Sequence, residues 1–558
     1  MVSLRLRLAL CAVGMAFAWA PPVQADTVPP VRAAPPLRPP PKLVVTIVVD
    51  QFSADLFAEY RQRFTGGLAR LLTGAVYPSA FQSHASTETC PGHSTILTGV
   101  HPSRTGIVSN GWIDLSLTRR ADHRVYCAED EADPGAAPGL PVISAAHLRV
   151  PTLGEYMKQS DPRSRNVAVS AKDRAVVMLG GHAIDAGYWF GKTGFETFRG
   201  RQPSPAVVAI NAAISREVAR GDPVSAVPIW CAQHNLPINV GRNRTVGTGR
   251  FQVAPQDFEA FHGSPRMDAV TLQLAGAMFD EMQLGRGPAP DLLSVSLSVT
   301  DYVGHAYGTE GQEMCIQMAE LDRSLGRFLT KLDASGIDYE VVLTADHGGL
   351  DLPERLYQQG LPTARRVDPQ LWPPTMGIAI AEELRLNLSE PLLYGDSTAG
   401  DIYVSRAITP DQRTRVIAAL MARLKLHPLV AAAFTAAELA AGRVPSGNPQ
   451  DWSLLDRARA SFDPERSGDV VVLLARGVVP ISTALPGMVA THGSAWDYDR
   501  RVPLLFWRRG LRGFEQPAPV ETVDIAPTLA ATLGLRLPPG TFDGRCLDID
   551  GGWASTCN

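Results

Sequence analysis

The chain should fold as an α/β domain with a doubly wound, mostly parallel sheet flanked by helices. Several short apolar runs are rich in β-branched residues and lack alternation, as strands buried on both faces of a parallel sheet do. Helical patterns lie between them, Met314 to Leu332 ahead of the Val341 run being one, and this alternation favours βαβ units. The runs end in polar, chemically capable residues. In open α/β sheets ligands bind just beyond the carboxyl ends of the strands.

In chain order, Leu43 to Val49 ends at Asp50, and Asn166 to Ser170 leads to Lys172. Leu292 to Val299 leads to Asp301, and Val341 to Thr344 leads to Asp346 and His347. Two regions fit the sheet poorly. Residues 110–150 are rich in Asp, Gly and Pro, and residues 181–268 in Gly, Asn and aromatic side chains. Both read as insertions above the strand ends, placed to form a cap. Pro410 to Gly442 is Ala- and Leu-rich with a helical pattern and is expected as a surface helix pair.

With 558 residues the chain is long enough for one large α/β domain with insertions, or two domains. Its 52 basic and 56 acidic residues give a net charge of −4, which excludes nucleic-acid or membrane-surface binding driven by bulk charge. Arg5 and Arg7 precede an apolar stretch from Leu8 to Ala20, and Val23-Gln24-Ala25 offers small residues for cleavage after Ala25. Residues 1–25 therefore read as a signal peptide, 26–41 as a Pro-rich lead-in, and 42–558 as the catalytic domain. Leu10 is too large to precede a lipidated Cys11. A periplasmic or secreted monomer without a membrane anchor is expected, since no coiled coil or later apolar span is visible. Six cysteines remain after cleavage, an even number that favours disulfides in an oxidising compartment. Six cysteines allow 15 connectivities; the simplest pairs neighbours, Cys90–Cys127, Cys231–Cys315 and Cys546–Cys557.

The chemistry rests on five blocks: Asp50, Thr89 to Gly99, Asp301-Tyr302-Val303-Gly304-His305, Asp346-His347-Gly348-Gly349 and Thr491-His492-Gly493-Ser494. Asp301, His305 and His492 supply one carboxylate and two imidazoles; Asp50, Asp346 and His347 supply two carboxylates and one imidazole. Such sets suit Zn²⁺, and three protein ligands leave a position open for reaction. Two sites together make a two-metal centre, with ions about 4 Å apart. Asp301 and His305 are spaced for one face of a helical turn. Thr89 stands before Pro91-Gly92, at the start of a helix running through Ile96, where N–H groups favour an anionic phosphate. A threonine hydroxyl is a poor nucleophile unless a metal holds it as alkoxide.

These blocks, in this order, resemble the alkaline phosphatase superfamily, with most likeness to the PafA-type phosphate-irrepressible bacterial enzymes and next to nucleotide pyrophosphatase/phosphodiesterases. The resemblance runs from Val48-Val49-Asp50-Gln51 to His492-Gly493-Ser494 and Val502-Pro503-Leu504. It implies an alkaline-phosphatase-like fold with inserted caps and two zinc ions per subunit. It places Asp301, His305 and His492 around the zinc facing the leaving oxygen. Asp50, Thr89, Asp346 and His347 then surround the zinc that activates the nucleophile Thr89. Asn110 resembles the family asparagine that binds a phosphoryl oxygen, and Lys172 and Arg174 the basic pair of the PafA type. No further ligand set for magnesium is visible. The implied reaction is hydrolysis of small phosphate monoesters through a phosphothreonine, with weaker diesterase activity.

Blander readings stand beside each assignment. Thr89 fits a helix cap, Asn110-Gly111 a turn, and Lys172 and Arg174 solvated charges after a strand. His84, His101, His123 and His182 receive no role, and His93 is read as supporting the loop. Cys90 does not complete a sulfatase motif, because Pro91 follows it directly. A nucleotide pyrophosphatase-type diesterase, a mutase and a binding protein without turnover remain the alternatives.

Overall fold

Seven consecutive buried residues, Leu43–Val49, form the middle strand of a nine-stranded sheet in the computed structural model. The described residues are 38–117, 120, 122–137, 139–222, 226–247, 249–552 and 555–557. The signal segment 1–25, with Cys11, and the lead-in through residue 37 lie outside them.

Leu43–Val49 pairs in parallel with Asp291–Leu297 on one side and with Tyr339–Thr344 on the other. Asn166–Ser170 and Ala186–Phe190 continue the parallel run. Every residue of these five strands is buried, which accounts for unbroken apolar runs in place of alternation. Arg501–Arg508 joins antiparallel to Tyr339–Thr344, followed by Ala75–Phe81 and Phe514–Glu515. The helix Gln312–Ala334 covers the sheet and packs on Pro265–Glu281 and Gly67–Leu71. Its buried positions Met314, Met318, Leu321, Leu325, Phe328 and Leu332 recur every three to four residues, one apolar stripe.

The register explains the site. Val48 lies opposite both Ser296 and Thr344, so Asp50, the Ser298–Asp301 turn and Asp346 leave the same edge of the sheet. Four adjacent parallel strands thus deliver Asp346, Asp50, Asp301 and Lys172 side by side.

A four-stranded antiparallel sheet, ordered Leu393–Tyr394, Gly400–Val404, Val470–Leu474, Val430–Thr435, forms a smaller layer. Val470, Val472 and Leu474 face one apolar cluster with Val416, Leu420 and Leu424; Val471 and Leu473 face another with Phe462 and Ala85. This is the period-2 alternation of a strand.

Two segments differ from expectation. Pro410 to Gly442 is not simply a helix pair: the helix Pro410–Leu426 and the short helix Ala436–Ala440 are separated by the strand Val430–Thr435. His427-Pro428 disfavours helix continuation, and pairing with Val470–Leu474 overrides the helix propensity of the alanines. The 181–268 region is not wholly an insertion, since Ala186–Phe190 and Phe195–Glu196 extend the central sheet. Within 110–150 the structure has one short ribbon, Gly111–Ile113 with Arg124–Tyr126. The cysteines pair as Cys90–Cys127, Cys231–Cys315 and Cys546–Cys557. Among the described residues no helix is long and apolar enough to cross a membrane.

Candidate active site

The helix Val299–Tyr307 begins directly after its strand, with Asp301 in the first turn and His305 one turn on. His305 Nε2 and His492 Nε2 lie 3.2 and 3.3 Å from Asp301 Oδ1. Beside this cluster, His347 Nε2 lies 3.4 Å from both Asp50 Oδ1 and Asp346 Oδ2. The His347 and His492 rings stack with centroids 3.7 Å apart, so the two clusters adjoin.

The tautomers follow from the other ring nitrogens. His305 Nδ1 meets the Ala490 carbonyl at 2.9 Å, His492 Nδ1 the Thr87 carbonyl at 2.8 Å, and His347 Nδ1 the Gly348 carbonyl at 2.9 Å. A carbonyl only accepts, so each Nδ1 donates, and in the neutral imidazole each Nε2 turns a lone pair inward. Asp50 Oδ1, Asp301 Oδ1 and His347 Nε2 are buried without a hydrogen-bond partner. A buried group of acceptors with no donors calls for cations. Six N/O ligands in two triads, each triad's ligand atoms within 4.8 Å of one another, fit a pair of divalent ions.

Thr89 opens the helix Thr89–Thr98, with Glu88 as its cap residue. Pro91 is the third helical residue, so Thr89 itself takes the first position. Thr89 Oγ1 lies 3.5 Å from Lys172 Nζ and 3.5 Å from an Arg174 terminal nitrogen. Lys172 Nζ also donates to Asp50 Oδ2 at 2.7 Å and Asp301 Oδ2 at 2.6 Å, bridging the clusters. A Cβ on Gly92 would stand 2.1 Å from the Asp346 carbonyl oxygen; only glycine lets this helix approach so closely.

Asn110 is held three ways. Its Oδ1 accepts from Cys90 N at 2.8 Å, its own N–H donates to Glu88 Oε2 at 2.7 Å, and its carbonyl accepts from Cys127 N at 3.1 Å. The Cys90–Cys127 disulfide closes the same loop. His93 Nδ1 is 2.9 Å from the Thr89 carbonyl and 3.0 Å from Asp346 Oδ2, and its Nε2 meets Ser296 Oγ at 2.9 Å.

Charge is balanced by contact. Burial opposes the Lys172 ammonium, but Asp301 and Asp50 outweigh it and raise the pKa. Burial also opposes the Asp301 carboxylate, yet His305 and Lys172 hold it well below the usual range. Burial and Asp346 push Asp50 up. His347 is held well down by burial and by His492, whereas His492, despite burial, is raised to about 9 by its contact with Asp301.

All ten sequence-derived residues, Asp50, Thr89, Asn110, Lys172, Arg174, Asp301, His305, Asp346, His347 and His492, lie in or beside this centre. Sequence reasoning missed Glu88, which anchors Asn110, and Tyr126, whose hydroxyl donates to Asp173 Oδ1 at 2.5 Å beside Arg174. The place of Glu88 directly before Thr89 was its only signal. Tyr126 had none, being 47 positions from Asp173.

Residues 44–495 match the family described as type I phosphodiesterase / nucleotide pyrophosphatase. The chain is 51% identical over 93% of both chains to alkaline phosphatase PhoK of a Sphingomonas species. It is 48% identical to alkaline phosphatase PhoD of Zymomonas mobilis, over 92% of this chain and 89% of that one. A crystal structure of alkaline phosphatase PafA superimposes with a TM-score of 0.79 at 27% identity, covering 92% of this chain and 100% of that one. A second PafA structure carries substitutions at a threonine, an asparagine, a lysine and an arginine, in that order along its chain. The chain belongs to the type I phosphodiesterase / nucleotide pyrophosphatase family of the alkaline phosphatase superfamily, together with the alkaline phosphatases PhoK, PhoD and PafA.

Proposed function

We propose that the protein is an exported phosphatase that hydrolyses phosphate monoesters to inorganic phosphate and an alcohol through a phosphothreonine at Thr89, with weaker activity on diesters. The observation that carries this reading is the position of Thr89 Oγ1, 3.5 Å from both Lys172 and Arg174 and beside two acceptor-only triads. Asp301, His305 and His492 would hold one zinc ion, and Asp50, Asp346 and His347, with Thr89, the other. When bound, the two ions supply Lewis-acid charge and lower the pKa of a coordinated hydroxyl or water.

The polypeptide contributes the rest. Thr89 Oγ attacks phosphorus and the bond to the alcohol oxygen breaks; attack by water then breaks the Thr89 Oγ–phosphorus bond and frees phosphate. Lys172 and Arg174 present two positive charges to the equatorial oxygens, and Asn110, its Oδ1 occupied by Cys90 N, would donate to them from its amide nitrogen. The start of the Thr89–Thr98 helix adds the positive end of its dipole. Two fixed cations suit a dianionic monoester. A diester carries one charge fewer and a second substituent that must sit where a cation stands. The diesterase reading stays second, favoured by the family's description and opposed by this pair.

The test is release of p-nitrophenol from p-nitrophenyl phosphate and from bis-p-nitrophenyl phosphate by wild type and Thr89→Ala, before and after chelation with zinc added back. The monoester should be strongly preferred. Thr89→Ala should lower turnover by at least about a thousandfold, and chelation should abolish it reversibly. Preference for the diester would transfer the assignment to the second reading, and turnover by the chelated protein would remove the metals from it.

A further inference from the structure

A cavity of about 120 Å³ lies between the active site and the smaller sheet. On the active-site side it is lined by Glu88, by Ser109 and Gly111 on either side of Asn110, and by His492 and Gly493. The opposite wall carries Asp396, Asp401 and Tyr403. His492 is shared with the Asp301–His305 triad. The phosphatase reading gives that triad the leaving oxygen, and the cavity adjoins the triad through His492.

The lining is one-sided in charge. Glu88, Asp396 and Asp401 are carboxylates, and no lysine or arginine is among the lining residues. The cations behind the wall are engaged: Arg457 donates to the Ala495 carbonyl at 2.8 Å. Arg124 pairs with Asp396 at 3.0 Å. Arg466 lies 4.9 Å from the centroid of the Trp112 ring and donates to the carbonyls of Gly106 and His147. Glu88 Oε2 is taken by Ser109 and Asn110. Asp401 is the least satisfied of the three: among the described residues its carboxylate receives only the Gly468 N–H, at 2.6 Å on Oδ1. Burial, with Glu88 adding, pushes Asp401 up to about 7 although the Gly468 N–H opposes this. Trp112, Ile113 and Phe462 supply apolar wall, which excludes water and strengthens charge contacts.

We propose that this cavity is the leaving-group subsite and that it selects phosphate monoesters whose alcohol carries a positive charge, such as an ammonium or quaternary ammonium group. The proposal rests on the phosphatase reading above. Asp396 being paired with Arg124, an alcohol bearing a carboxylate or a second phosphate meets the like charges of Glu88 and, above about pH 7, Asp401, and a neutral alcohol gains only the apolar wall. Discrimination therefore arises from repulsion as much as from attraction.

The experiment compares kcat/KM for ethanolamine phosphate and for 3-phosphoglycerate in the zinc-loaded wild type, Asp401→Asn and Asp396→Asn, with p-nitrophenyl phosphate as the separate report on the reaction itself. Asparagine keeps the oxygen that accepts from Gly468 and removes the charge. Wild type should favour the cationic alcohol by about tenfold or more, the scale of one close charge contact in a partly desolvated site, and Asp401→Asn should bring the ratio towards one. A wild type that turns over p-nitrophenyl phosphate but shows a ratio near or below one overturns the subsite and leaves the phosphatase standing. So does a ratio that neither folded variant moves. Loss of p-nitrophenyl phosphate turnover in wild type removes the reaction, and the subsite with it.

Discussion

Lys172 occupies an unusual place for an ammonium group. It is almost wholly buried and touches one carboxylate from each triad, Asp50 at 2.7 Å and Asp301 at 2.6 Å, with Thr89 Oγ1 at 3.5 Å. Such a group keeps its charge only because both carboxylates stay close. It is therefore a fixed cation at the point where the proposed reaction would seat the phosphoryl group. Replacing Lys172 by alanine should lower kcat/KM for p-nitrophenyl phosphate by about 10²–10³, the usual cost of one preorganised donor. The effect on bis-p-nitrophenyl phosphate should be much smaller, because a diester presents less charge to match. Steady-state kinetics on both esters check this; equal losses would make Lys172 a brace for the ligands rather than a phosphate contact. At this scale the sequence was informative wherever a strand end or a single helical turn defines the neighbour. Asp301 and His305 are four apart and meet at 3.2 Å. The Nδ1 partners Ala490, Thr87 and Gly348 were not legible, because backbone carbonyls carry no side-chain signal.

The helix Thr89–Thr98 is buried along its whole length and ends at Gly99, whose φ of 68° is left-handed, a conformation glycine adopts readily. No amphipathic face exists to give its position, so the approach at Gly92 fixes it. Adding one methyl, as Gly92→Ala, drives Cβ to 2.1 Å from the Asp346 carbonyl oxygen, and the obstacle is backbone rather than a movable side chain. The helix must shift away from Asp346 and carry Thr89 with it. We expect a loss of about 1–3 kcal/mol in stability, the range for overpacking, and a fall of about a hundredfold or more in kcat/KM, since small misplacements of a nucleophile are costly. Denaturant unfolding and kinetics on the same preparation check both; unchanged kinetics would mean that the helix has freedom the packing denies. The strand Val430–Thr435 teaches the converse lesson. Its alanines favour helix locally, and only the edge offered by Val470–Leu474 makes it a strand.

Across the molecule, the segment that follows the Thr89–Thr98 helix is tied to the C-terminal region through His101. Its N–H and Nδ1 meet Asp543 Oδ2 at 2.9 and 3.1 Å, and its Nε2 meets Glu521 Oε1 at 3.1 Å. Two carboxylates on one imidazole favour the doubly protonated ring. Burial opposes this, but the hydrogen bonds to Asp543 and Glu521 prevail and raise the pKa from 6.5 to about 9. A folded pKa above the unfolded one means that the contribution to stability is complete below about pH 6.5 and is lost as the pH rises through about 9. Its size is at most about 3 kcal/mol. Wild type should therefore be more stable than His101→Asn at pH 6, with the gap largely closed by pH 10. Thermal unfolding across that range checks it, and a gap independent of pH would show that His101 acts through packing alone.

By itself the sequence determined the sheet class and singled out the residues that the fold gathers into two candidate ligand triads, with Thr89, Lys172 and Arg174 beside them. Each of these is written locally, as an apolar run that must be a buried strand followed by a polar residue that must then leave its carboxyl end. Only the tertiary structure decided the strand order that sets four such ends side by side, the orientation of each imidazole, and the cavity beyond His492. His492 Nδ1 finds the Thr87 carbonyl across 405 positions of chain, and Asp401 and Glu88 line one cavity. Such contacts depend on how separate layers pack, and packing depends on the summed shape of many side chains rather than on any short string.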